Sequence, residues 1–427
     1  MKVGIVGLGI AGLRAAMLLE KAGIDVQLFE ARDRVGGRLH TVDEGGGVLY
    51  EAGGEWIDAD HLRCLELLRG FDMEPIEPLP WPKKLHYSGH YSTEAHIWSD
   101  ALEDDIRVEA AARELCRDLS NPPWKNTTKG GLDNRTLADF LKEHTQSPRG
   151  LWYVTAKYRS DEGEDPERIG LLGWLAGYLH YLDRDGDVMS AFRAPGGFGK
   201  LCSKMLGGLR AEPQFGAVLK RIHQDPMGVT LMFEKGQARV DRVLVTLPPP
   251  ALEHVVFDPA LPVSKRCTLE ACEMGRTIKL VWEFDKAWWE SDEWGGSMLS
   301  DGPLQQTWVE GCETPVLCAY IGGERAMEWC RMGDPVNAGV YELAKLHPDA
   351  PKHFKRGWAH LWPLDPYARG GFSHLAPGYV LEHMEHIAPP VGRVHFAGEH
   401  TALWSGFIEG ALESAERVAA EIVNTEM

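Results

Sequence analysis

Three glycines near the start of the sequence, Gly7, Gly9 and Gly12, have the spacing of a turn that binds a dinucleotide. In this spacing the first glycine permits a tight turn, the second lets backbone approach a pyrophosphate, and the third lets a helix pack closely on a strand. The unpaired N–H groups and the positive dipole end of that helix attract the phosphates. The chemistry expected of this segment is the binding of an adenine dinucleotide.

The elements around this turn have the order strand, helix, strand. An apolar run from Val3 to Val6 enters the turn, a helical pattern covers Leu13 to Lys21, and a second apolar run covers Asp25 to Phe29. The next residue, Glu30, lies 18 positions beyond Gly12 and is placed to accept hydrogen bonds from a ribose. Glycine turns alone are common, so it is this context that favours a nucleotide site.

Further glycine-rich turns favour FAD over NAD, because they let backbone approach a more extended cofactor. They are Gly36-Gly37-Arg38 and Glu51 to Trp56. This opening resembles the FAD-binding opening of the flavin amine oxidase family, which includes monoamine and polyamine oxidases. The resemblance implies that FAD contacts Gly7, Gly9, Ile10, Ala11, Gly12, Glu30, Ala31, Arg32, Gly36, Gly37, Arg38, Gly53, Gly54, Glu55 and Trp56.

A stretch near the C-terminus, Gly398 to Ala411, resembles the closing signature of the same family. The resemblance implies that Glu399 contacts the ribityl or phosphate portion of FAD. It also implies that the last helix points its N-terminus at the flavin ring, where negative charge develops on reduction. The further cofactor contacts expected from the resemblance are Val218, near the adenine, and Gly398, Gly406, Phe407 and Ile408.

A lysine inside an apolar strand, Lys279, is the sharpest catalytic candidate. Burying an ammonium is costly, so its position is unusual. The pattern alone is explained equally well by an alternating strand that turns Lys279 to solvent. The run Gly275 to Trp282 resembles the family's strand whose lysine reaches flavin N5 through a water and assists reoxidation by oxygen. The resemblance assigns that catalytic role to Lys279.

Two phenylalanines, Phe372 and Phe407, resemble the aromatic walls that hold the substrate nitrogen above the flavin in monoamine oxidases. Aromatic faces orient an amine and favour its uncharged form by desolvation. The alternative is that both are ordinary core phenylalanines. Where the animal monoamine oxidases carry a cysteine linked to the flavin, this chain has Gly371. We therefore expect noncovalent FAD.

The resemblance covers essentially the whole chain and implies an FAD-dependent amine oxidase. Such an enzyme oxidises a primary or secondary amine to an imine, which hydrolyses to a carbonyl product, and reduces O₂ to H₂O₂. An L-amino-acid oxidase, acting on an aromatic amino acid such as tryptophan, is the alternative on the same fold. A flavin-binding protein without catalysis also stays open, because a fold does not prove an activity.

The amino-acid oxidase alternative depends on an arginine that clamps the substrate carboxylate. The position expected for it in related sequences is occupied here by Glu55 to Asp58. Arg63, Arg193 or Arg276 could substitute. The sequence therefore leaves this alternative open.

The order of the elements indicates an α/β fold with an α+β substrate part. We expect a Rossmann-like FAD-binding domain of the amine oxidase type, discontinuous over residues 1–75, 190–264 and 376–427, interleaved with a substrate-binding domain over 76–189 and 265–375. In the latter, Thr136 to Asp139 indicates a capping box, opening a helix over Leu137 to His144. Asp161 to Glu167 is expected to be an acidic loop, and Ile169 to Leu182 a buried helix.

The bulk composition limits the partners. The 427 residues carry a formal net charge of −18, which argues against nucleic acid or an anionic membrane. No stretch reaches transmembrane length, and the first strand begins at Lys2, ahead of which no signal peptide fits. The expected partners are a small-molecule amine and O₂, and the oligomeric state is left open, a homodimer included.

The eight cysteines form no CxxC or Cys/His metal spacing. We therefore expect free thiols, a cytoplasmic location and no metal site. The 15 tryptophans are in excess, and some are available to line an aromatic ligand cavity.

Overall fold

The computed structural model describes residues 1–78, 83–180, 189–291, 295–311 and 314–425. Its strands are β1 Lys2–Val6, β2 Asp25–Phe29, β3 Thr41–Gly45, β4 Val48–Glu51, β5 Lys84–Tyr87, β6 His90–Thr93, β7 Pro213–Gln214, β8 Leu219–Asp225, β9 Gly228–Phe233, β10 Gln237–Val240, β11 Arg242–Val245, β12 Val256–Asp258, β13 Glu273–Met274, β14 Thr277–Phe284, β15 Met298–Ser300, β16 Gln306–Val309, β17 Val316–Gly322, β18 Phe354–Leu361, β19 Ser373–His374 and β20 Val394–Phe396. Its α-helices are α1 Ile10–Lys21, α2 Leu62–Gly70, α3 Ser99–Cys116, α4 Gly130–Asp133, α5 Leu137–His144, α6 Pro148–Glu162, α7 Leu171–Tyr178, α8 Phe198–Gly207, α9 Pro249–Leu252, α10 Val263–Ala271, α11 Gly323–Cys330, α12 Pro335–Leu346, α13 Ala350–His353, α14 Tyr379–Glu382, α15 Met384–Ile387 and α16 Ile408–Asn424.

A five-stranded parallel sheet, in the order β20-β11-β1-β2-β7, carries the N-terminal turn. The strands β1, β11 and β20 are largely buried, as expected for a parallel sheet covered by helices, and α1 and α16 pack on each other over the sheet. The carboxyl ends of parallel strands meet at one edge. The turn after β1, Glu30 after β2 and Gly398 after β20 therefore come together.

A four-stranded sheet, β10-β9-β8-β12, packs beside the parallel sheet. The apolar run from Val240 to Thr246 does not form a single strand, because β10 ends at Val240 in one sheet and β11 begins at Arg242 in the other. The Oδ2 atom of the intervening Asp241 accepts the Lys2 N–H at 2.6 Å, which anchors the chain where it changes sheets.

A seven-stranded sheet, β18-β14-β17-β16-β15-β5-β6, lies on the other side of the cavity described below. The apolar strand that carries Lys279 is observed as β14, which pairs with β17 and β18 and is buried along its whole length. Lys279 is only 5% exposed. The interpretation that an alternating strand turns Lys279 to solvent is therefore wrong.

Helices α3, α5, α6 and α7 pack together around an apolar cluster beside this sheet. The predicted cap is confirmed, since the Thr136 hydroxyl accepts the Asp139 N–H at 3.1 Å and α5 covers Leu137–His144. The acidic loop predicted from Asp161 is wrong at its start, because α6 continues to Glu162 and ends at Gly163 with a φ of 67°.

The buried helix predicted from Ile169 to Leu182 is observed as α7, over Leu171–Tyr178, while residues 181 and 182 lie outside the described part of the chain. The strands of the five-stranded sheet fall in the ranges expected for the FAD-binding domain. Those of the seven-stranded sheet fall in the ranges expected for the substrate-binding domain. The division into two domains stays a prediction.

No helix within the described residues has the length and apolar character needed to span a bilayer. The cysteines that the structure describes, Cys64, Cys116, Cys202, Cys267, Cys272, Cys318 and Cys330, are free thiols.

Candidate active site

The carboxyl edge of the parallel sheet faces a cavity of about 1340 Å³, which extends to the seven-stranded sheet and to α6. The sequence-predicted residues that line it are Gly7, Gly9, Ile10, Ala11, Glu30, Ala31, Arg32, Gly36, Gly37, Arg38, Gly53, Gly54, Glu55, Trp56, Val218, Lys279, Phe372, Gly398, Glu399, Gly406, Phe407 and Ile408. Segments far apart in sequence thus meet at one cavity.

The first glycine turn has the geometry that its spacing predicts. Gly7 has a φ of 97°, where an L side chain would be strained. A Cβ on Gly9 would come no closer than 3.8 Å to another residue, so its backbone is open to the cavity. Gly12 does not line the cavity, and a Cβ there would lie 2.0 Å from the Gly7 carbonyl oxygen. Gly12 therefore permits the close packing of α1 on the turn, as its spacing predicts, and its contact with FAD stays a prediction.

Helix α1 begins directly after Gly9 and faces the cavity with its N-terminus. It has no side-chain cap and no acidic residue in its first turn. The first N–H groups of a helix have no partner inside the helix. This end of α1 therefore suits the negatively charged phosphates of a dinucleotide.

Glu30 is buried at the end of β2, where two backbone groups fix its carboxylate. Its Oε2 accepts the Leu8 N–H at 2.7 Å, and its Oε1 accepts the Arg32 N–H at 2.9 Å. Each carboxylate oxygen can accept a second hydrogen bond, so ribose hydroxyls can still bind. The Arg32 guanidinium makes a bidentate pair with Asp365, at 2.9 and 2.6 Å, and so holds the 365–367 segment at the cavity.

Glu399 links the second glycine turn to the C-terminal signature. It accepts a hydrogen bond from Arg38 Nη1 at 2.7 Å, from Ser373 Oγ at 2.6 Å and from the Gly406 N–H at 2.7 Å. Burial alone would raise the pKa of Glu399, but the charge of Arg38 and these hydrogen bonds lower it to about 2. Arg38 also donates to the Gly371 carbonyl at 2.9 Å. The carboxylate therefore fixes the wall of the cavity.

Lys279 reaches the cavity from β14 as part of a buried charge cluster. Its Nζ donates to Glu55 Oε2 at 2.7 Å and to the Glu51 carbonyl at 2.9 Å, and it lies 5.2 Å from the Trp308 ring centroid. Burial lowers the pKa of Lys279, but the Glu55 carboxylate and neighbouring acids outweigh burial and raise it. Lys279 is thus held as an ammonium.

A second cation completes this cluster. The Arg193 guanidinium contacts both Glu55 and Glu310, and it lies over the Trp56 ring at 5.2 Å. The carboxylate of Glu55 is therefore shared between Lys279 and Arg193, while Trp56 lines the cavity beside it. Sequence reasoning missed Glu310, which comes from the loop after β16 and carries no local signal.

The two predicted aromatic walls both line the cavity and are half-buried, so neither is an ordinary core phenylalanine. Phe407 caps α16, and its ring lies edge-on to the buried His61 ring at 5.1 Å. Phe372 packs on two glycines. A Cβ on Gly163 would lie 2.8 Å from its Cζ, and one on Gly406 would lie 3.2 Å from its Cδ2. His61 is a positioning contact that sequence reasoning missed.

Residues 10–423 match the sequence model of the family described as flavin containing amine oxidoreductase. The chain belongs to this family. The amine oxidoreductase fold expected from the sequence is confirmed, and so is its activity class, an oxidoreductase acting on CH–NH groups with FAD as cofactor.

Similar proteins of this family cover nearly the same length. One is an L-amino acid dehydrogenase from Synechocystis sp., 26% identical over 98% of this chain and 94% of that protein. Another is the flavin-containing amine oxidase B of Homo sapiens, 24% identical over 99% of this chain and 86% of that protein. Among solved structures, cyclohexylamine oxidase from Brevibacterium oxydans matches with a TM-score of 0.90 and 25% identity, over 99% of both chains.

The residues of this amine oxidoreductase fit FAD. Gly9 leaves its backbone open, α1 presents an uncapped N-terminus, and the Glu30 carboxylate is fixed at the expected ribose position. Gly371 has no side chain to link to the ring, and a Cβ there would lie 2.3 Å from Thr277 Oγ1. The chain therefore offers neither a thiol at this position nor room for one without a shift of Thr277.

The three arginines considered for a substrate carboxylate are each paired with at least two carboxylates already. The pairs are Arg63 with Glu409 and Glu416, Arg193 with Glu55 and Glu310, and Arg276 with Glu164, Asp165 and Glu324. A substrate carboxylate would have to displace one of these partners.

Proposed function

We propose that this protein is an FAD-dependent amine oxidase. It converts a primary or secondary amine to an imine, which hydrolyses to a carbonyl compound, and reduces O₂ to H₂O₂. The observation that supports the proposal is one cavity lined by the dinucleotide turn, by Lys279, and by Phe372 and Phe407. When bound, FAD accepts a hydride equivalent from the C–H bond next to the amine nitrogen and passes the electrons to O₂.

The aromatic side chains prepare the substrate amine. Phe372 and Phe407 carry no hydroxyl, so they form an apolar surface that disfavours an ammonium and orients the neutral amine. His61 packs on Phe407, and Gly163 lies against Phe372. These contacts restrain both rings.

Lys279 supplies the oxygen-reacting side of the cavity with a fixed positive charge. An ammonium has three donors, and two of them are used by Glu55 and by the Glu51 carbonyl. The third can hold a water on the cavity side. A positive charge placed there stabilises the negative charge that develops as O₂ accepts electrons.

The relative named as an L-amino acid dehydrogenase favours an amino-acid-oxidising enzyme as second candidate. Such a substrate needs a cation for its carboxylate. The ion pairs of Arg63, Arg193 and Arg276 argue against this candidate, since each guanidinium is already paired with two or more acids.

A single panel separates these functions. The purified protein, loaded with FAD, is mixed anaerobically with primary and secondary amines and with aromatic L-amino acids, and oxygen is then admitted with a peroxide-coupled assay. Bleaching by an amine followed by H₂O₂ formation supports the proposal. Bleaching by amino acids alone supports the second candidate, and bleaching without peroxide indicates a dehydrogenase. If none of the compounds bleaches the flavin, both candidate functions are refuted.

A further inference from the structure

Glu310 is a buried carboxylate that lies directly behind the cavity wall. It follows β16, its side chain is 1% exposed, and it does not line the cavity. Its Oε2 accepts a hydrogen bond from the Arg193 guanidinium, and its Oε1 accepts the Trp308 indole N–H at 3.3 Å. Burial, together with the Glu55 charge, raises the pKa of Glu310, although the charge of Arg193 opposes the rise. The pair with Arg193 is therefore what holds a negative charge at this place.

Arg193 connects Glu310 to the residues of the cavity. Its guanidinium also contacts Oε1 of Glu55, while Oε2 of Glu55 accepts a hydrogen bond from Lys279 Nζ at 2.7 Å. None of the four side chains is more than 12% exposed, and among the described residues no further ion pair joins them. Two cations and two carboxylates therefore balance each other in a space nearly closed to solvent.

The two cations would not respond equally to the loss of one acid. Without the charge of Glu310 the cluster keeps one positive charge in excess. An arginine does not release its proton in proteins, whereas a buried lysine does so readily. Burial lowers the pKa of Lys279, and the charges of Glu55 and Glu310 are among those that raise it. Lys279 is therefore the group that would give up its charge.

Other titratable groups face Lys279 from the neighbouring strands. They are Glu51 at the end of β4, Cys318 and Tyr320 on β17, and His360 on β18. Burial raises the pKa of the Cys318 thiol and of the Tyr320 hydroxyl, and it lowers the pKa of His360 to about 4. Burial also raises the pKa of Glu51 to about 7, but its carboxylate is hydrogen-bonded elsewhere and only its carbonyl contacts Lys279. None of these four groups supplies a carboxylate contact to Lys279 in this arrangement.

We propose that Glu310 is a positioning residue for the reaction of the reduced flavin with O₂. By occupying Arg193 it leaves one oxygen of Glu55 to Lys279, so that the ammonium persists as the pH rises. This inference rests on the proposed function, in which the charge of Lys279 assists electron transfer to O₂.

The test compares the wild type with Glu310→Gln, which keeps the shape of the side chain and removes its charge. The FAD-loaded proteins are reduced with a stoichiometric amount of dithionite and mixed with oxygenated buffer, and flavin absorbance is followed by stopped flow from pH 6 to pH 9. The rate constants of variant and wild type should agree at pH 6. At pH 9 that of the variant should be about tenfold lower, because Lys279 has lost its proton and with it the positive charge.

Two further variants separate a loss of charge from a loss of structure. Glu310→Gln/Arg193→Gln removes one carboxylate and one guanidinium together, so its rate constant relative to the wild type should no longer fall with pH. Glu164→Gln is the matched control, since Glu164 is also buried, also paired with an arginine, Arg276, and does not line the cavity. Its rate constant should follow the wild type at every pH.

The apoproteins give a readout that needs no flavin. In Glu310→Gln the native Lys279 binds its proton less tightly than the same residue of the unfolded chain. The unfolded state then holds more protons, so stability rises with pH. The midpoint of thermal unfolding of the variant, relative to the wild type, should therefore rise from pH 7 to pH 9.

The outcomes that overturn the role of Glu310 are distinct from a failure of the proposed function, because dithionite supplies the electrons in place of an amine. A constant ratio of the two rate constants from pH 6 to pH 9 overturns that role. So does an equal fall in Glu164→Gln, or a fall that persists in the double variant. If Lys279→Met reoxidises at the wild-type rate, the oxygen chemistry of the proposed function fails, and this inference fails with it. Should Glu310→Gln not fold, Glu310→Asp, whose carboxylate is withdrawn from Arg193, must show a smaller fall of the same direction, and an unchanged ratio overturns the role.

Discussion

Lys279 Nζ and Glu55 Oε2 lie 2.7 Å apart and form a buried ion pair at the cavity, although 224 positions separate the two residues in the chain. Truncating one partner of a buried pair leaves the other charge uncompensated, at a cost of about 3–5 kcal/mol. Here Arg193 shares the Glu55 carboxylate, so part of that cost is offset when Lys279 is removed. Mutations in this pair can therefore separate its effect on the stability of the protein from its effect on flavin reoxidation.

Lys279→Met should slow reoxidation of the reduced flavin by oxygen about tenfold or more, because the positive charge that favours electron transfer to O₂ is lost. Anaerobic reduction by an amine should change less. Stopped-flow measurement of the two half-reactions checks this prediction. The double variant Lys279→Met/Glu55→Gln should regain thermal stability and still reoxidise slowly. Wild-type reoxidation in either variant would refute the role of Lys279.

Among the glycines of the first turn, Gly9 should matter for the affinity for FAD and Gly12 for the stability of the apoprotein. Gly9→Ala places a methyl group towards open cavity space, so the apoprotein should keep its stability while its affinity for FAD falls about tenfold. Gly12→Ala places a methyl group 2.0 Å from the Gly7 carbonyl oxygen and should destabilise the apoprotein by about 1–3 kcal/mol. Thermal unfolding of both apoproteins and FAD titration check these effects. Equal loss of stability in the two variants would contradict the assignment.

The stability of the protein should depend on pH through Glu51. This side chain is 5% exposed, and its Oε1 accepts the Thr41 hydroxyl at 2.8 Å and the Phe198 N–H at 2.6 Å. Burial raises the pKa of Glu51 from 4.5 to about 7. Between about pH 4.5 and pH 7 the native state therefore holds a proton on Glu51 that the unfolded chain has released. The stabilising contribution of this proton is complete below about pH 4.5 and is lost as the pH rises through about 7.

Glu51→Gln stays neutral at every pH and removes this dependence. The free energy of unfolding of the variant, relative to the wild type, should rise by about 2–3 kcal/mol between about pH 4.5 and pH 8. Denaturant unfolding of both apoproteins at several pH values measures this difference. A difference that is constant with pH would show that Glu51 is ionised in the native protein throughout.

The FAD should be released when the protein is denatured, because Gly371 offers no side chain for a covalent link. Acid precipitation of the purified yellow protein should leave the flavin in the supernatant. Flavin fluorescence that migrates with the denatured polypeptide in a gel would contradict a noncovalent cofactor.

The sequence predicts best where the signal is local. Gly7, Gly9 and Glu30 follow directly from their positions after β1 and β2, and the alternation of strand and helix around them indicates the parallel sheet. Lys279 is ambiguous by pattern alone, because burial of β14 depends on β17 and β18 pairing on both sides.

The rest of the site depends on contacts between distant segments. The partners of Glu55 are Lys279 and Arg193, and no spacing rule relates the three. The run of acids that begins at Asp161 predicts a solvent-exposed loop. In the structure Asp161 belongs to α6 and lines the cavity. Tertiary packing brings these residues together, so the sequence of each segment alone could not predict where they lie.

We propose that one cavity brings a bound FAD together with an amine. Anaerobic mixing of the FAD-loaded protein with the amine panel, followed by flavin absorbance, tests it most directly. At least one amine should bleach the oxidised flavin, and air should restore the colour with formation of H₂O₂. A protein that binds no FAD, or whose flavin stays oxidised with every amine, would contradict it.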